Sequence, residues 1–292
     1  MGKIVDAIKN RGVLVSDGAW GTYIHQKGLK SDECPESWNL GHPDIIYEIA
    51  LSYVEAGADM ILTNSFGGSP FKLEPYGLKD RAYEINRAAA EISRKAAGDS
   101  ILVLGSVGPT GKILMMGDVT EEELSNGFSE QIRGLSDGGV DAILIETMSD
   151  PEEAVIALRT ARKVTDKELI CTFTFSLTPA NEYRTMMGLS PAESVDLLLK
   201  EGADIIGTNC GNGTAGMIQI VKEIRNVNPE IPVLVHANAG LPVLKDGVSV
   251  FPETPEVMAE QMKDLVRAGA NIVGGCCGTT PEHIRRIAGL VK

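Results

Sequence analysis

One unit recurs along this chain and constrains the fold more than any other feature. A short β-branched or aliphatic run ends in a small or polar residue, a loop follows, proline opens a helix, and glycine returns the chain to the next run. Eight such runs can be read: "VLVSDG" at 13–18, "DMILTN" at 59–64, "ILVLGSVG" at 101–108, "DAILIE" at 141–146, "LICTFTF" at 169–175, "DIIGTN" at 204–209, "VLVHANAG" at 233–240 and "NIVGGCC" at 271–277. Eight strand–helix units are the count of a closed (β/α)8 barrel. The joins share a grammar, since "EAGADMILTN", "DGGVDAILIE", "KEGADIIGTN" and "RAGANIVGGC" each stop a helix at glycine and turn at once into a strand. Glycine there relieves the left-handed strain that a side chain would bring. Proline sits in the first turn of "HPDIIYEI", "SDPEEAVIAL", "SPAESVDLLL", "TPEVMAEQM" and "TPEHIRRI", usually behind a residue able to cap. A doubly wound open sheet uses similar units, but no GxGxxG follows the first run. The expected fold is a single-domain α/β TIM barrel over residues 1–292, a length that such barrels reach, with 43% hydrophobic residues to fill its core.

A barrel places its chemistry at the C-terminal ends of the strands. The longest insertions, roughly 20–42 and 109–119, follow the first and third runs and belong to that rim. The residues closing the runs are Asp17, Asn64, Ser106, Glu146, Phe175, Asn209 with Cys210, Asn238, and Cys276 with Cys277. Three of the five cysteines stand there. Five is an odd number, and without an export signal the chain reads as a carrier of thiols, for metal or catalysis, and not of disulfides. Runs six and eight are separated by one strand in a closed barrel, so Cys210, Cys276 and Cys277 can converge. Three thiolates suit Zn2+ with a fourth position open. The glycines of "GGCCG" allow adjacent cysteines to turn one way, although a vicinal disulfide or plain buried thiols remain open on spacing alone.

The net charge of −13, with no concentrated Lys/Arg surface, argues against nucleic acid. "MGKIVDAIKN" has no signal-peptide character and no apolar run approaches about 18 residues, so no membrane partner is expected and the cytoplasm is the expected location. Nothing in the sequence speaks to oligomeric state.

Several stretches together carry a family resemblance: "DGAWGT" at 17–22, "EAGADMILTNSFGGSPFKLEPYGL" at 55–78, "GTNCG" at 207–211, "NAGLP" at 238–242 and "GGCCGTTPEHI" at 274–284. In order and over nearly the whole chain, they resemble the homocysteine S-methyltransferase family, and within it the homocysteine-binding domain of the cobalamin-dependent methionine synthases. The resemblance implies a barrel that holds zinc through Cys210, Cys276 and Cys277. It also implies activation of homocysteine as a thiolate on that zinc, followed by methylation to methionine. A free thiol is mostly protonated at neutral pH, whereas a coordinated one is ionised.

With an amino-acid thiol as substrate, Asp17 and Glu146 become candidate partners of its ammonium group. The substrate carboxylate is then expected at the backbone amides of "DGAWGT", where Gly18 and Gly21 permit close approach, with Thr22 or Ser65 adding a hydroxyl. Asn209 and Asn238 are candidates for orienting sulfur or substrate. Cys34 and Cys171 read as non-ligands, His283 as a helix-start residue, and His236 as the histidine nearest a strand end. The methionines of "ILMMGD" and "RTMMGLSP" read as loop packing. Because the last helix closes the sequence, the methyl donor is expected from outside it: a separate methyl-corrinoid protein, or a small methyl-onium compound, with an excised domain as a third case. Two other functions fit parts of the pattern. One is a barrel isomerase or lyase that uses the glycine-rich corner as a phosphate cradle. The other is a non-catalytic subunit that docks a corrinoid protein.

Overall fold

Eight parallel strands alternate with helices in a computed structural model that describes residues 2–245 and 248–292. The strands are β1 (Leu14–Val15), β2 (Met60–Leu62), β3 (Leu102–Val107), β4 (Ala142–Met148), β5 (Glu168–Phe173), β6 (Ile205–Gly213), β7 (Val233–Asn238) and β8 (Ile272–Gly275). From β2 to β8 each strand pairs with its neighbour in the chain, and β8 pairs with β1. The last seam is drawn together by side chains. The Asp59 amide donates to the Val15 carbonyl at 2.7 Å, Asp59 Oδ2 accepts from the Val15 amide at 2.8 Å, and Asp17 Oδ2 accepts from the Leu62 amide at 2.7 Å. The expected TIM barrel is therefore present, with β1 and β2 shorter than their sequence runs because polar side chains take over the pairing at both ends.

The glycine grammar has a second layer that spacing did not reveal. Gly57, Gly139, Gly202 and Gly269 all adopt positive φ at the joins, and the residue two positions on turns its side chain into the neighbouring strand. Asp59, Asp141, Asp204 and Asn271 accept from the amides of Val15, Val103, Leu169 and Val233 respectively, at 2.8 to 3.0 Å. An arginine from the helix that leads into that neighbouring strand closes each latch: Arg11, Arg94, Arg162 and Arg225. Arg225 also donates to the carbonyls of Asn228, Pro229, Ile231 and Gly269. Arg225→Ala should therefore lower unfolding stability by about 2–3 kcal/mol in chemical denaturation, and Arg225→Lys should recover little, because an ammonium cannot span the same fork of acceptors.

The same end of the barrel, where the strands begin, is stoppered by the helix Lys3–Arg11, whose first-turn amides at Ile4 and Val5 donate to the Glu168 carboxylate at 2.7 and 3.0 Å. The proline-led helices form as expected. Asp150 accepts from Glu152 N at the start of Pro151–Val164, and Ser190 and Thr254 cap the helices that begin at Pro191 and Pro255. Two small hairpins on the rim had no sequence signal of their own: Ser176–Leu177 with Tyr183–Arg184 after β5, and Val243–Lys245 with Val248–Val250 after β7. Strands of two or three residues lack the alternation by which longer ones are recognised. Among the described residues no helix is long and apolar enough to cross a membrane.

Candidate active site

The thiols meet because two strands end irregularly. Pairing of β6 with β7 runs regularly to Asn209 and His236, then resumes only at Gly213 and Asn238, so extra residues bulge out of β6. Cys210 stands in this bulge at φ +59°, a left-handed conformation that is strained for a side-chain residue and re-aims its thiol. Past β8 the backbone turns sharply, with Gly278 at φ +81° and the Thr279 amide donating to the Cys276 carbonyl at 3.2 Å. The Cys276 amide donates to the Ala237 carbonyl at 2.7 Å, and the Cys277 amide to Asn238 Oδ1 at 3.1 Å. The outcome is three sulfurs within 4.8 Å of one another, each only partly accessible.

This donor set fits a tetrahedral zinc. Bonds of about 2.3 Å place sulfur ligands a little under 4 Å apart, so small side-chain rotations suffice. With the thiols free, hydrogen bonds from Cys276 and Cys277, joined by one from Asn238, hold Cys210 far below the ordinary thiol pKa, while the proton-donating Cys276 is pushed well above it. Cys277, which also shares its proton with Cys210, is pushed up to about 11, so the free cluster favours one negative charge, on Cys210. Cys34 and Cys171 are buried away from it, as expected, and burial pushes the Cys34 thiol up to about 12.

Beside the thiols lie two acids that have no cationic partner among the described residues. Asp17 and Glu146 are almost fully buried, and burial raises both to about 7. Asp17 is held by the Leu62 amide and by Trp20 Nε1 at 2.8 Å. Glu146 accepts from the Ser106 hydroxyl and, at 3.3 Å, from Asn209 Nδ2. The charges acting on Glu146 are those of Asp17 and Cys210, both of its own sign. Burying like charges together is costly, and it persists where a ligand brings the missing cation.

The remaining candidates divide by what their polar atoms already do. Asn209 is saturated: its oxygen accepts from the Thr147 amide and Thr172 Oγ1, and its nitrogen serves Thr147 Oγ1 and Glu146. It orients the acid. Ser65 gives its one proton to the Ser106 carbonyl at 2.7 Å, and Gly18 is small because Tyr53 and Thr279 press on it, a Cβ there falling within about 3.0 Å of both. The Ala19 amide of the same loop donates to Thr279 Oγ1. His283 starts its helix as expected: Nδ1 accepts from the Thr280 amide, which leaves Nε2–H to donate to the Glu253 carbonyl. The loop-packing expectation for the methionines is corrected, since Met115, Met116 and Met186 are each more than 70% exposed. They project from the rim on the long segments after β3 and β5, where none of the described residues covers them.

The phosphate-cradle alternative loses its donors here. The amides of Gly275, Cys276, Cys277, Thr279 and Thr280 all donate to acceptors within the protein. A phosphate site needs such amides free.

Comparison with known proteins was made on this geometry. The family model described as homocysteine S-methyltransferase matches residues 14–291. Methionine synthase of Mycobacterium tuberculosis (strain ATCC 25618 / H37Rv) is 33% identical over 302 residues, covering 99% of this chain and 25% of that protein. Methionine synthase of Mycobacterium leprae (strain TN) is 32% identical over 293 residues, covering 96% and 24%. The chain thus spans about a quarter of the length of these curated relatives. Among solved structures, the metallated form of the homocysteine methyltransferase MmuM from Escherichia coli superposes with a TM-score of 0.79 at 22% identity, covering 97% of this chain and 98% of that one. At that identity the likeness speaks for the fold.

Proposed function

Because the chain belongs to the homocysteine S-methyltransferase family, we propose that it methylates the sulfur of homocysteine to give methionine, with zinc held by Cys210, Cys276 and Cys277. The observation that carries this reading is the convergence of three thiols within 4.8 Å beside two buried carboxylates that have no cationic partner among the described residues. One end of the site matches a thiol and the other an ammonium. When bound, zinc would supply the Lewis acidity that keeps an incoming thiol ionised at neutral pH.

The protein's own groups do the rest. Asp17 and Glu146 take the ammonium, Asn209 and Ser106 fix Glu146, and Asn238 braces both Cys210 and the Cys277 amide. The substrate is then held at both ends, and its sulfur faces the mouth of the barrel. The sulfur lone pair forms the new S–CH3 bond as the bond from methyl to donor breaks, its electron pair leaving with the donor. Such a displacement needs alignment more than acid or base. Gly18 and Ser65 enter as supports of the pocket wall.

For the donor, a separate methyl-corrinoid protein is favoured over a small methyl-onium compound. The rim offers Met115, Met116, Met186, Leu241 and Leu244, all strongly exposed, which suits a broad apolar partner better than a small cation. Free thiols that must bind metal also suit a reducing compartment such as the cytoplasm.

Mass spectrometry of zinc-loaded protein with homocysteine and a panel of donors tests the proposal. Methionine should form at least 100-fold faster, by order of magnitude, with a methylated corrinoid protein than with a small methyl-onium compound. No methionine with any corrinoid, onium or folate donor would defeat the methyltransferase reading.

A further inference from the structure

Among the described residues six buried side-chain polar atoms lack a hydrogen-bond partner, and His236 Nε2 is the one that stands on a barrel strand. His236, on β7, is 1% exposed, and its Nε2 has no hydrogen-bond partner although it is fully enclosed. A buried polar atom left unpaired is costly and rare, and where it persists it is commonly waiting for a ligand or water.

The position of the ring narrows what it waits for. His236 stands opposite Asn209 on β6 and opposite Gly274 on β8, and two residues before Asn238, so it shares their inward face below the thiols. Gly274 makes room for it: a Cβ there would sit 3.0 Å from His236 Cδ2, 2.8 Å from Ser16 Cβ and 2.9 Å from the Asp17 carbonyl oxygen. Cδ2 is bonded to Nε2, so the edge of the ring carrying the unpaired nitrogen lies on the β8–β1 side of the interior, next to the stretch Ser16–Asp17. Asp17 Oδ1 on that side holds only a long contact of 3.4 Å from the Ser16 hydroxyl.

An ammonium group carries three N–H donors and requires three acceptors. Asp17 Oδ2 is taken by the Leu62 amide and Trp20 Nε1, and Glu146 Oε1 by the Ser106 hydroxyl, so the two acids offer one oxygen each. Resting on the homocysteine reading above, we infer that the Nε2 lone pair of His236 is the third acceptor, completing an ammonium pocket of two acids and one neutral imidazole. Burial holds the His236 pKa down, at about 4, so the ring stays neutral and keeps its lone pair through the physiological range. A protonated histidine there would repel the substrate cation. The neutral ring instead adds selectivity for an amino-acid thiol over thiols that lack the amino group.

The test is calorimetric binding of homocysteine and of 4-mercaptobutanoic acid, which lacks the amino group, to zinc-loaded wild type, His236→Leu and His236→Gln. The leucine variant should bind homocysteine about 10-fold or more weakly yet bind the amino-free thiol as wild type does, because one hydrogen bond to a charged group is lost. Glutamine, whose side-chain oxygen can accept in place of Nε2, should recover most of the affinity. Zinc content should be unchanged, and the leucine variant should melt no lower than wild type, since an unpaired polar atom is removed. Equal homocysteine affinity in His236→Leu, or an equal loss for both thiols, would overturn the assignment. In parallel, the imidazole 15N resonances of wild type should report a new hydrogen bond at Nε2 on adding homocysteine but not the amino-free thiol. Absence of that response overturns the assignment even if the leucine variant does not fold. Wild type that binds neither thiol would instead refute the homocysteine reading itself.

Discussion

Replacing Cys276 by alanine should reduce bound zinc from about one ion per chain to a small fraction of that, and lower methyl transfer by at least 100-fold, by order of magnitude. Losing a partner that merely orients a ligand typically costs 10- to 100-fold in metal affinity or activity, and removing a ligand outright costs more. The Cys276 side chain lies on the turn after β8, outside the aliphatic core, so the barrel should fold with near-native circular dichroism and denaturation midpoint. A linked signal comes from the proton of the substrate. Homocysteine binding to zinc-loaded wild type near pH 7 should release about one proton per site, read from calorimetry in buffers of different ionisation enthalpy, because coordination ionises the thiol. The alanine variant should release little. Unchanged zinc in Cys276→Ala, by elemental analysis, would dismiss Cys210, Cys276 and Cys277 as the ligand set.

Glu146→Gln should weaken homocysteine binding about 10- to 150-fold while leaving zinc near wild-type level, since a charge-assisted hydrogen bond of about 1.5–3 kcal/mol is removed from the ammonium. The same variant should change stability in the opposite direction. In the unfolded chain Glu146 ionises near 4.5, whereas in the fold burial holds its proton until about 7. The folded protein therefore binds more protons between those values, and the stabilisation this gives at low pH is lost as pH rises through about 7. At pH 8 the wild type carries an unfavourable charge that glutamine lacks. The free variant should be more stable there by up to about 3 kcal/mol, and its stability should vary less between pH 4 and pH 8. Denaturation curves across that range decide it: a variant less stable than wild type at pH 8 would show that Glu146 has a cation partner in the fold. An affinity loss equal for homocysteine and for a thiol without the amino group would show that Glu146 does not meet the ammonium.

The exposed methionines and the hairpins after β5 and β7 show how the rim differs from the core. Core strands carry a hydrophobic pattern imposed by burial on every residue, so they can be recognised one at a time. Rim segments are shaped by what they will meet, and their apolar side chains, Met115 and Met186 among them, resemble in sequence those that pack inside. Reading them as packed was reasonable on composition. Only the surrounding chain, or its absence, separates the two cases.

What the sequence determined by itself is local: eight strands, their proline-led helices and the glycine joins follow from backbone preferences of a few neighbouring residues. The polar residues at the strand ends were visible for the same reason, and so was His283 at its helix start. What only the tertiary structure decided depends on groups distant in the chain. Cys210 meets Cys276 and Cys277 through the bulge in β6 and the turn after β8. Asp17 and Glu146 are lifted to about 7 by burial, a property of everything packed around them. What each group has left to offer a ligand depends on which atoms it already satisfies: Ser65 and Asn209 are engaged, Gly18 is small for Tyr53 and Thr279, and His236 is left with a nitrogen unpaired. Hydrogen-bond saturation and desolvation arise between segments that only the closed barrel brings together, so no local pattern of residue types encodes them.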